Sequence, residues 1–187
     1  YGYGQDHGGI VAMFDFGGGT FDFSILQIHG DIYEVLSTNG DNSLGGDDVD
    51  NKLYSEVCDG ILEQTGIDPT QDAKSVQRIR EAAEKAKCEL STLRETIITL
   101  PFIVADSTGP KHFETKITRE QFNEWMEPLF VRLFAPCKAA IEDAELTLAE
   151  IDQILLVGGS TRIPRVQEMV QDYFHREPNR SVNPDEA

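Results

Sequence analysis

The chain has 187 residues, enough for one sizeable core or two small lobes, and its 40% hydrophobic and 26% charged residues are typical of a globular protein. Its net charge of −17 argues against nucleic acid as the main partner, because a phosphate backbone would be repelled. No apolar run reaches the roughly 18 residues of a membrane span, so we expect no membrane partner. The 3 cysteines form neither a metal-binding pattern nor a disulfide framework, so we expect a reducing compartment.

The first predicted elements are two strands joined by a glycine-rich turn. Apolar runs over residues 10–14 and 23–28 indicate the strands. Because glycine reaches positive φ without penalty, the N–H groups of three successive glycines are expected to converge on an anion, usually a phosphate. Two flanking carboxylates suit Mg²⁺ bound through waters, and a threonine adds a hydroxyl. The candidate site residues of this turn are Asp15, Gly17, Gly18, Gly19, Thr20 and Asp22.

This turn does not match the two best-known phosphate-binding patterns. It is not a Walker A loop, because no Lys-Ser or Lys-Thr pair follows the glycines. It is not a dinucleotide fingerprint, because a strand rather than a helix is predicted after it. A tight turn that binds no ligand is therefore the alternative to a phosphate site.

A third strand and a helix are predicted next. Residues 32–37 indicate a strand that completes a three-strand antiparallel meander, since Gly30-Asp31 before them is a hairpin signal. A polar loop then ends at Gly45 and Gly46, and apolar residues recurring every four positions predict a helix to about Thr65. The two glycines either begin that helix or bring a second stretch of backbone to a phosphate at a helix N-terminus.

A second helix is predicted over about residues 75–91. The apolar stripe along one side of it consists of five residues, Val76, Ile79, Ala83, Ala86 and Leu90. At about 100° per residue, Glu84, Lys87, Cys88 and Ser91 form a separate polar face. Periodicity alone favours a solvated face with a Glu84–Lys87 ion pair. A face that binds a ligand is the alternative.

A hairpin and a third helix are predicted after it. Residues 96–104 and 112–117 indicate the hairpin, and Pro101 indicates either an edge strand or a bulge. A capping box at Thr118 predicts the start of the helix, which two prolines, at positions 128 and 136, should kink or split. The core face of this helix is predicted to consist of Phe122, Trp125, Leu129 and Leu133.

The last predicted strand, over residues 151–157, leads directly into a second glycine-rich turn and a helix that starts near Pro164. Open α/β folds bind ligands at the carboxyl ends of their strands. Glycines there would let a flat ring lie against the backbone, and Arg162 could stack on it or hold a phosphate. The alternative is a tight turn with an exposed Arg162. The candidate residues of this turn are Gly158, Gly159, Ser160 and Arg162.

Five motifs occur in order over essentially the whole chain. They are Asp15-Phe16-Gly17-Gly18-Gly19-Thr20-Phe21-Asp22, Leu44-Gly45-Gly46-Asp47-Asp48, Arg80-Glu81-Ala82-Ala83-Glu84-Lys85-Ala86-Lys87, Val157-Gly158-Gly159-Ser160-Thr161-Arg162-Ile163-Pro164 and Val182-Asn183-Pro184-Asp185-Glu186-Ala187. This set resembles the 70-kDa heat-shock chaperones, and within them the second half (lobe II) of the nucleotide-binding domain. The family's first phosphate loop and catalytic lysine are then expected upstream of Tyr1, and its substrate-binding domain downstream of Ala187.

The resemblance implies an α/β, actin-like ATPase fold related to ribonuclease H. A base subdomain with a mixed sheet would span residues 1–44 and 118–187, and an inserted α+β subdomain residues 45–117. The first glycine turn would hold the phosphates of ATP or ADP, with Asp15, Thr20 and Asp22 at the reaction centre, and the two acids would hold hydrated Mg²⁺. Gly45 and Gly46 would form a weaker phosphate-side loop. Contacts to adenosine would come from Glu84, Lys87, Cys88, Ser91, Gly158, Gly159, Ser160, Arg162 and Asp185.

The implied function is a chaperone that couples ATP turnover to binding and release of unfolded peptides. A nucleotide-exchange factor would bind the inserted subdomain and a J-domain co-chaperone the full-length protein, while this chain alone would hydrolyse little ATP. Cys88 replaces an Arg that cytosolic members stack on adenine. The runs 83–91 and 107–112 resemble mitochondrial and bacterial members more than cytosolic ones. A mitochondrial matrix location is therefore expected, with the bacterial cytoplasm as the alternative. A sugar or acetate kinase and an actin-like filament protein are the rival functions.

Overall fold

A computed structural model describes residues 9–179. The chain divides into two compact units: the first contains the chain up to Asp47 and from Pro128 onward, and the second contains Asp48–Glu127. The subdomain boundaries predicted from the sequence, after residues 44 and 117, stay a prediction. The elements in chain order are β1 (Gly9–Phe16), β2 (Phe21–His29), β3 (Ile32–Asp41), α1 (Gly46–Thr65), α2 (Ala73–Leu90), β4 (Glu95–Asp106), β5 (Gly109–Thr118), α3 (Arg119–Phe130), α4 (Phe134–Asp143), β6 (Gln153–Val157) and α5 (Pro164–Phe174).

The first unit is built on a four-stranded mixed sheet of order β3-β2-β1-β6. β1, β2 and β3 form the predicted antiparallel meander, and β6 runs parallel to β1. The register pairs Asp15 with Asp22 on one side and with Val157 on the other. The glycine-rich turns after β1 and after β6 consequently leave the sheet at the same edge.

Phenylalanines fill the core of the first unit. Phe14, Phe21 and Phe23 are fully buried, and the rings of Phe14 and Phe21 lie 4.6 Å apart between centroids. Phe23 stacks on Phe174 of α5 at 5.8 Å, which anchors that helix to the sheet. The strand that carries the first glycine turn is therefore held by large buried rings on both sides of the turn.

In the second unit, α2 packs against the β4–β5 hairpin. The Asp72 carboxylate accepts the Ser75 N–H at 2.9 Å, so α2 begins two residues before its predicted start. Four of the five residues of the predicted apolar stripe are buried and Val76 is half-buried. The buried residues of the stripe are Ile79, Ala83, Ala86 and Leu90.

The predicted bulge in β4 is confirmed between Leu100 and Val104. Phe102 has φ 53° and an exposed ring, and burial returns at Ile103 after the bulge. The Phe102 N–H donates to Nδ1 of His112 at 3.1 Å, so this histidine has a structural role at the bulge.

The prolines split the third helix as predicted. Its capping box is confirmed, because the Thr118 N–H donates to Gln121 Oε1 at 3.0 Å and the Gln121 N–H to Thr118 Oγ1 at 3.2 Å. α3 ends at Phe130, a single tight turn follows, and α4 begins at Phe134. The predicted core face was wrong at two positions: Met126 and Phe130 are buried, while Trp125 and Leu129 are half-buried. Across residues 9–179, no helix combines the length and apolarity needed to cross a membrane.

Candidate functional site

The turn between β1 and β2, residues 17–20, is called the glycine turn below. The Gly17 N–H donates to the Thr20 carbonyl oxygen at 3.1 Å and closes the turn. Gly18, Gly19 and Thr20 are exposed. Within residues 9–179, the N–H groups of Gly18 and Gly19 have no hydrogen-bond acceptor. Two neighbouring donors are thus available to an anion.

The reason for glycine in this turn differs from the sequence-based expectation. None of its three glycines has a positive φ; within the described chain, glycines with positive φ are Gly30, Gly66, Gly109 and Gly158. A Cβ at Gly19 would meet nothing within 4 Å, and one at Gly18 would meet only Asp47 Oδ1, at 3.9 Å. The fold therefore has room for side chains at Gly18 and Gly19, and glycine instead leaves space for a ligand to approach the backbone.

The loop before α1 supports the glycine turn from the protein side. The Gly46 N–H donates to the Gly17 carbonyl at 2.9 Å, and the Asp47 N–H to the Gly18 carbonyl at 2.7 Å. A Cβ on Gly45 would lie 2.6 Å from the Gly19 carbonyl carbon, closer than real Cβ atoms approach. Supporting the turn is a role that the sequence did not predict for Gly45 and Gly46, and their direct contact with phosphate stays a prediction.

The turn after β6 meets the glycine turn as well. Gly158 has φ 85°, and a Cβ there would collide with the Phe16 backbone and lie 2.8 Å from Asp15 Oδ1. The hydroxyl of Ser160 donates to the Gly17 carbonyl at 3.0 Å. Gly159 and Arg162 are exposed. The structure thus brings three of the predicted groups together in the first unit: the glycine turn, Gly45–Gly46 and the turn after β6.

Asp15 and Asp22 lie opposite each other at the base of the glycine turn. Burial, and then the negative charge of Asp22, raise the pKa of the Asp15 carboxyl. The Thr20 hydroxyl donates to Asp22 Oδ2 at 3.2 Å. Within the described chain no three His, Cys, Asp or Glu side chains cluster closely enough to hold a metal ion. A cation here would need waters or phosphate oxygens to complete its coordination.

The polar face of α2 lies in the second unit. Glu84 and Cys88 are exposed, and Lys87 is half-buried. Lys87 Nζ lies 2.6 Å from Asp50 Oδ2 of α1, so the ion pair at Lys87 differs from the Glu84–Lys87 pair expected of a solvated face. The Ser91 hydroxyl donates to the Lys87 carbonyl at 3.2 Å at the end of the helix. Asp185 lies outside the described residues.

A protein-family model described as Hsp70 protein matches residues 1–187 of the chain. The chain belongs to the Hsp70 family. It therefore has the actin-like ATPase fold, to which its α/β architecture with one mixed and one antiparallel sheet conforms. Hsp70 proteins are chaperones with an ATPase domain; they bind ATP and ADP and generally work with co-chaperones and unfolded peptides. Family membership sets aside the kinase and filament alternatives.

Two residues that contact predicted site residues were missed by the sequence-based prediction. Gly40 pairs with Asp22 across β2 and β3, and a Cβ there would lie 2.7 Å from Asp22 Oδ1. Asp50 pairs with Lys87. An Asn-Gly dipeptide in a strand and an acidic first turn of a helix were the available signals, and both have common structural explanations.

In this Hsp70 chain, Asp15→Asn should raise the free energy of unfolding modestly at pH 7 in the absence of ligand. A raised pKa means that folding disfavours the ionised carboxylate, a cost that disappears as pH falls through that pKa. The advantage of the variant should therefore shrink between pH 7 and pH 4 in urea titrations. Asp41→Asn is the matched control of opposite sign, because hydrogen bonds from Ser43 and Arg132 lower the pKa of Asp41. If Asp15→Asn were less stable than the original chain at pH 7, the raised pKa of Asp15 would be contradicted.

Proposed function

We propose that the chain is lobe II of an Hsp70 nucleotide-binding domain and that the glycine turn binds the β- and γ-phosphates of ATP. One observation carries this proposal: Gly18 and Gly19 present N–H groups without acceptors in the described chain, beside space that the fold leaves open. Hydrogen-bond donors without side-chain cover are what a phosphate requires. The net charge of −17 makes such local donors necessary for holding an anion.

The residues at the base of the turn fit a hydrated Mg²⁺. Asp15 and Asp22 supply hard carboxylate oxygens, and the Gly40 position leaves room for the Asp22 carboxylate. When bound, the cation would neutralise charge on the phosphate oxygens. The hydrogen bond from Thr20 to Asp22 holds the Thr20 hydroxyl beside this carboxylate, close to where the transferred phosphoryl group would lie.

Adenosine contacts are assigned to two groups of residues, one in each unit. In the second unit, the Asp50 carboxylate holds the Lys87 ammonium, which favours a fixed position for a ribose contact. Cys88 lies on the same face and provides no cation to stack on adenine. The proposed adenosine residues of the second unit are Glu84, Lys87, Cys88 and Ser91, and those of the remaining chain are Gly158, Gly159, Ser160, Arg162 and Asp185.

The finer biological assignments extend this proposal. A nucleotide-exchange factor would bind the second unit, and a J-domain co-chaperone and unfolded peptides would bind the full-length protein. The cysteine at 88 and the run 83–91 support a mitochondrial or bacterial type of Hsp70. We therefore propose the mitochondrial matrix as the location, with the bacterial cytoplasm as the second candidate.

Gly19→Ala tests the proposed function directly. A methyl group at this position meets no protein atom within 4 Å, so the free energy of unfolding should stay within about 0.5 kcal/mol of the original value. The same methyl group would occupy the space of the phosphate, so affinity for ADP with Mg²⁺ should fall at least tenfold, about 1.4 kcal/mol. Calorimetric titration and urea unfolding measure the two quantities.

The matched control for this experiment is Gly30→Ala, in the β2–β3 turn. Gly30 also has open space around it but has φ 60°, so its replacement should cost about 1 kcal/mol of stability and leave ADP affinity unchanged. Unchanged ADP affinity in Gly19→Ala would refute phosphate binding at the glycine turn.

A further inference from the structure

Arg119 is the first residue of α3, yet its side chain holds the end of α2. Its guanidinium Nε donates to the Leu90 carbonyl at 2.9 Å, and Nη2 donates to the Leu93 carbonyl at 2.7 Å. The Arg119 backbone N–H donates to the Arg94 carbonyl at 2.8 Å. Three donors of a single residue therefore converge on residues 90–94, within the second unit.

The end of α2 needs such donors, because the last carbonyl groups of a helix have no partner within the helix. α2 ends at Leu90, and the chain then tightens, with the Ser91 N–H donating to the Cys88 carbonyl at 3.2 Å. A cationic donor at a helix C-terminus also complements the helix dipole. The Arg119 guanidinium thus supplies both the missing donors and a favourable charge.

Ser91 lies between the two carbonyls that the Arg119 guanidinium binds. The Ser91 side chain is half-buried, and its hydroxyl donates to the Lys87 carbonyl at 3.2 Å, which is long for a hydrogen bond between two oxygens. That bond alone would hold the side chain loosely. The position of Ser91 consequently depends on the backbone on either side of it, which Arg119 fixes at Leu90 and at Leu93.

We propose that Arg119 is a positioning residue for adenosine, acting through the Leu90 and Leu93 carbonyls to fix Ser91 at the end of the α2 polar face. This inference rests on the proposed assignment of that face to adenosine. The guanidinium itself binds backbone and is not assigned a contact with the ligand. The nucleoside half of a nucleotide, and not its phosphates, would then lose affinity when the guanidinium is removed.

The test compares Arg119→Met with Arg78→Met in the full-length protein, because the nucleotide site is expected to extend upstream of this chain. Arg78 is the matched control, since it lies in the first half of α2 and also donates to two backbone carbonyls of the second unit. Its acceptors are the carbonyls of Pro101 at 2.7 Å and of Phe102 at 3.4 Å. Methionine keeps an unbranched side chain and removes the guanidinium.

Two kinds of measurement separate a role in folding from a role in binding. Amide hydrogen exchange of Thr92 and Leu93, whose N–H groups donate to the Glu89 carbonyl at 3.0 and 2.7 Å, measures the end of α2 without any ligand. Titrations with adenosine, Mg-pyrophosphate and Mg-ADP measure the two halves of the nucleotide and the whole. Arg119→Lys is the conservative variant, which keeps the charge but not the fork of two donors, and it carries the comparison if Arg119→Met folds poorly.

We expect Arg119→Met to speed exchange of the two amides about tenfold, the factor that one hydrogen bond from a charged group supplies. Affinity for adenosine and Mg-ADP should fall about fivefold, the factor of the one ordinary hydrogen bond that Ser91 would make, with pyrophosphate affinity unchanged. Arg119→Lys should show smaller effects of the same kind, and Arg78→Met should change none of these values. Unchanged adenosine affinity in Arg119→Met, an equal fall in pyrophosphate affinity, or an equal effect of Arg78→Met would overturn the inference. If the full-length protein bound neither adenosine nor Mg-ADP, the proposed function would be refuted, and this inference with it.

Discussion

Gly158→Ala is expected to lower the free energy of unfolding by about 3 to 4 kcal/mol, the largest loss that we predict for a single methyl group. Two costs combine at this position. With φ 85°, the backbone conformation alone costs an L-residue about 1 to 2 kcal/mol. The added carbon would also collide with the Phe16 backbone and approach Asp15 Oδ1 to 2.8 Å. The carboxyl ends of the neighbouring strands β1 and β6 would therefore have to move apart.

The comparison with Gly66→Ala separates these two costs. Gly66 ends α1 with φ 75°, but a Cβ there meets nothing within 4 Å. Its replacement should therefore cost only the conformational part, about 1 to 2 kcal/mol, in urea unfolding monitored by circular dichroism. If the two variants lost the same free energy of unfolding, the chain would be relaxing around the collision at Gly158. The tight packing of the two turns would then contribute nothing to stability.

Gly45→Ala is expected to reduce affinity for Mg-ADP about 100-fold and stability by about 2 kcal/mol. The new carbon would lie 2.6 Å from the Gly19 carbonyl carbon and even closer to the Gly18 carbonyl oxygen. Because both partners are backbone atoms, neither can rotate away, so the glycine turn itself must move. The N–H groups proposed to hold the phosphates would move with it.

Calorimetric titration and urea unfolding of Gly45→Ala should be read beside Gly19→Ala. Each substitution adds one methyl group next to the glycine turn. The methyl group of Gly45→Ala lies on the side where the protein packs against the turn, and that of Gly19→Ala lies on the open side. Both should weaken nucleotide binding, but only Gly45→Ala should lose stability. A Gly45→Ala protein as stable as the original chain would contradict the packing described for the loop before α1.

Local patterns predicted most of the fold because they depend on neighbours in sequence. The spacing of Ile79, Ala83 and Leu90 determines one face of a helix wherever that helix packs. Proline removes a backbone donor in any context, which is why the bulge in β4 and the split after α3 could be predicted. The core face of α3 was displaced to Met126 and Phe130 because its neighbours, which the sequence does not identify, decide which side is covered.

The candidate site was predicted as a set of residues but not as a set of contacts. The Ser160 hydroxyl finds its acceptor 143 positions away, and the Lys87 ammonium finds its carboxylate 37 positions away. Either side chain has several equally good acceptors until the tertiary structure places one of them nearby. The glycines of the first turn were predicted for the wrong reason, which was a left-handed backbone. Gly158 has that backbone, whereas Gly19 has open space around it instead.

The exposed thiol of Cys88 makes the chain suited to fluorescence labelling without an engineered cysteine. Cys58 and Cys137 are buried, and burial raises the pKa of both thiols, so neither offers much thiolate to an electrophile. A maleimide dye would accordingly attach at position 88, on the α2 face that carries Glu84 and Lys87. Its emission would then report, in real time, whether the ligand and partner proposed for that helix bind there.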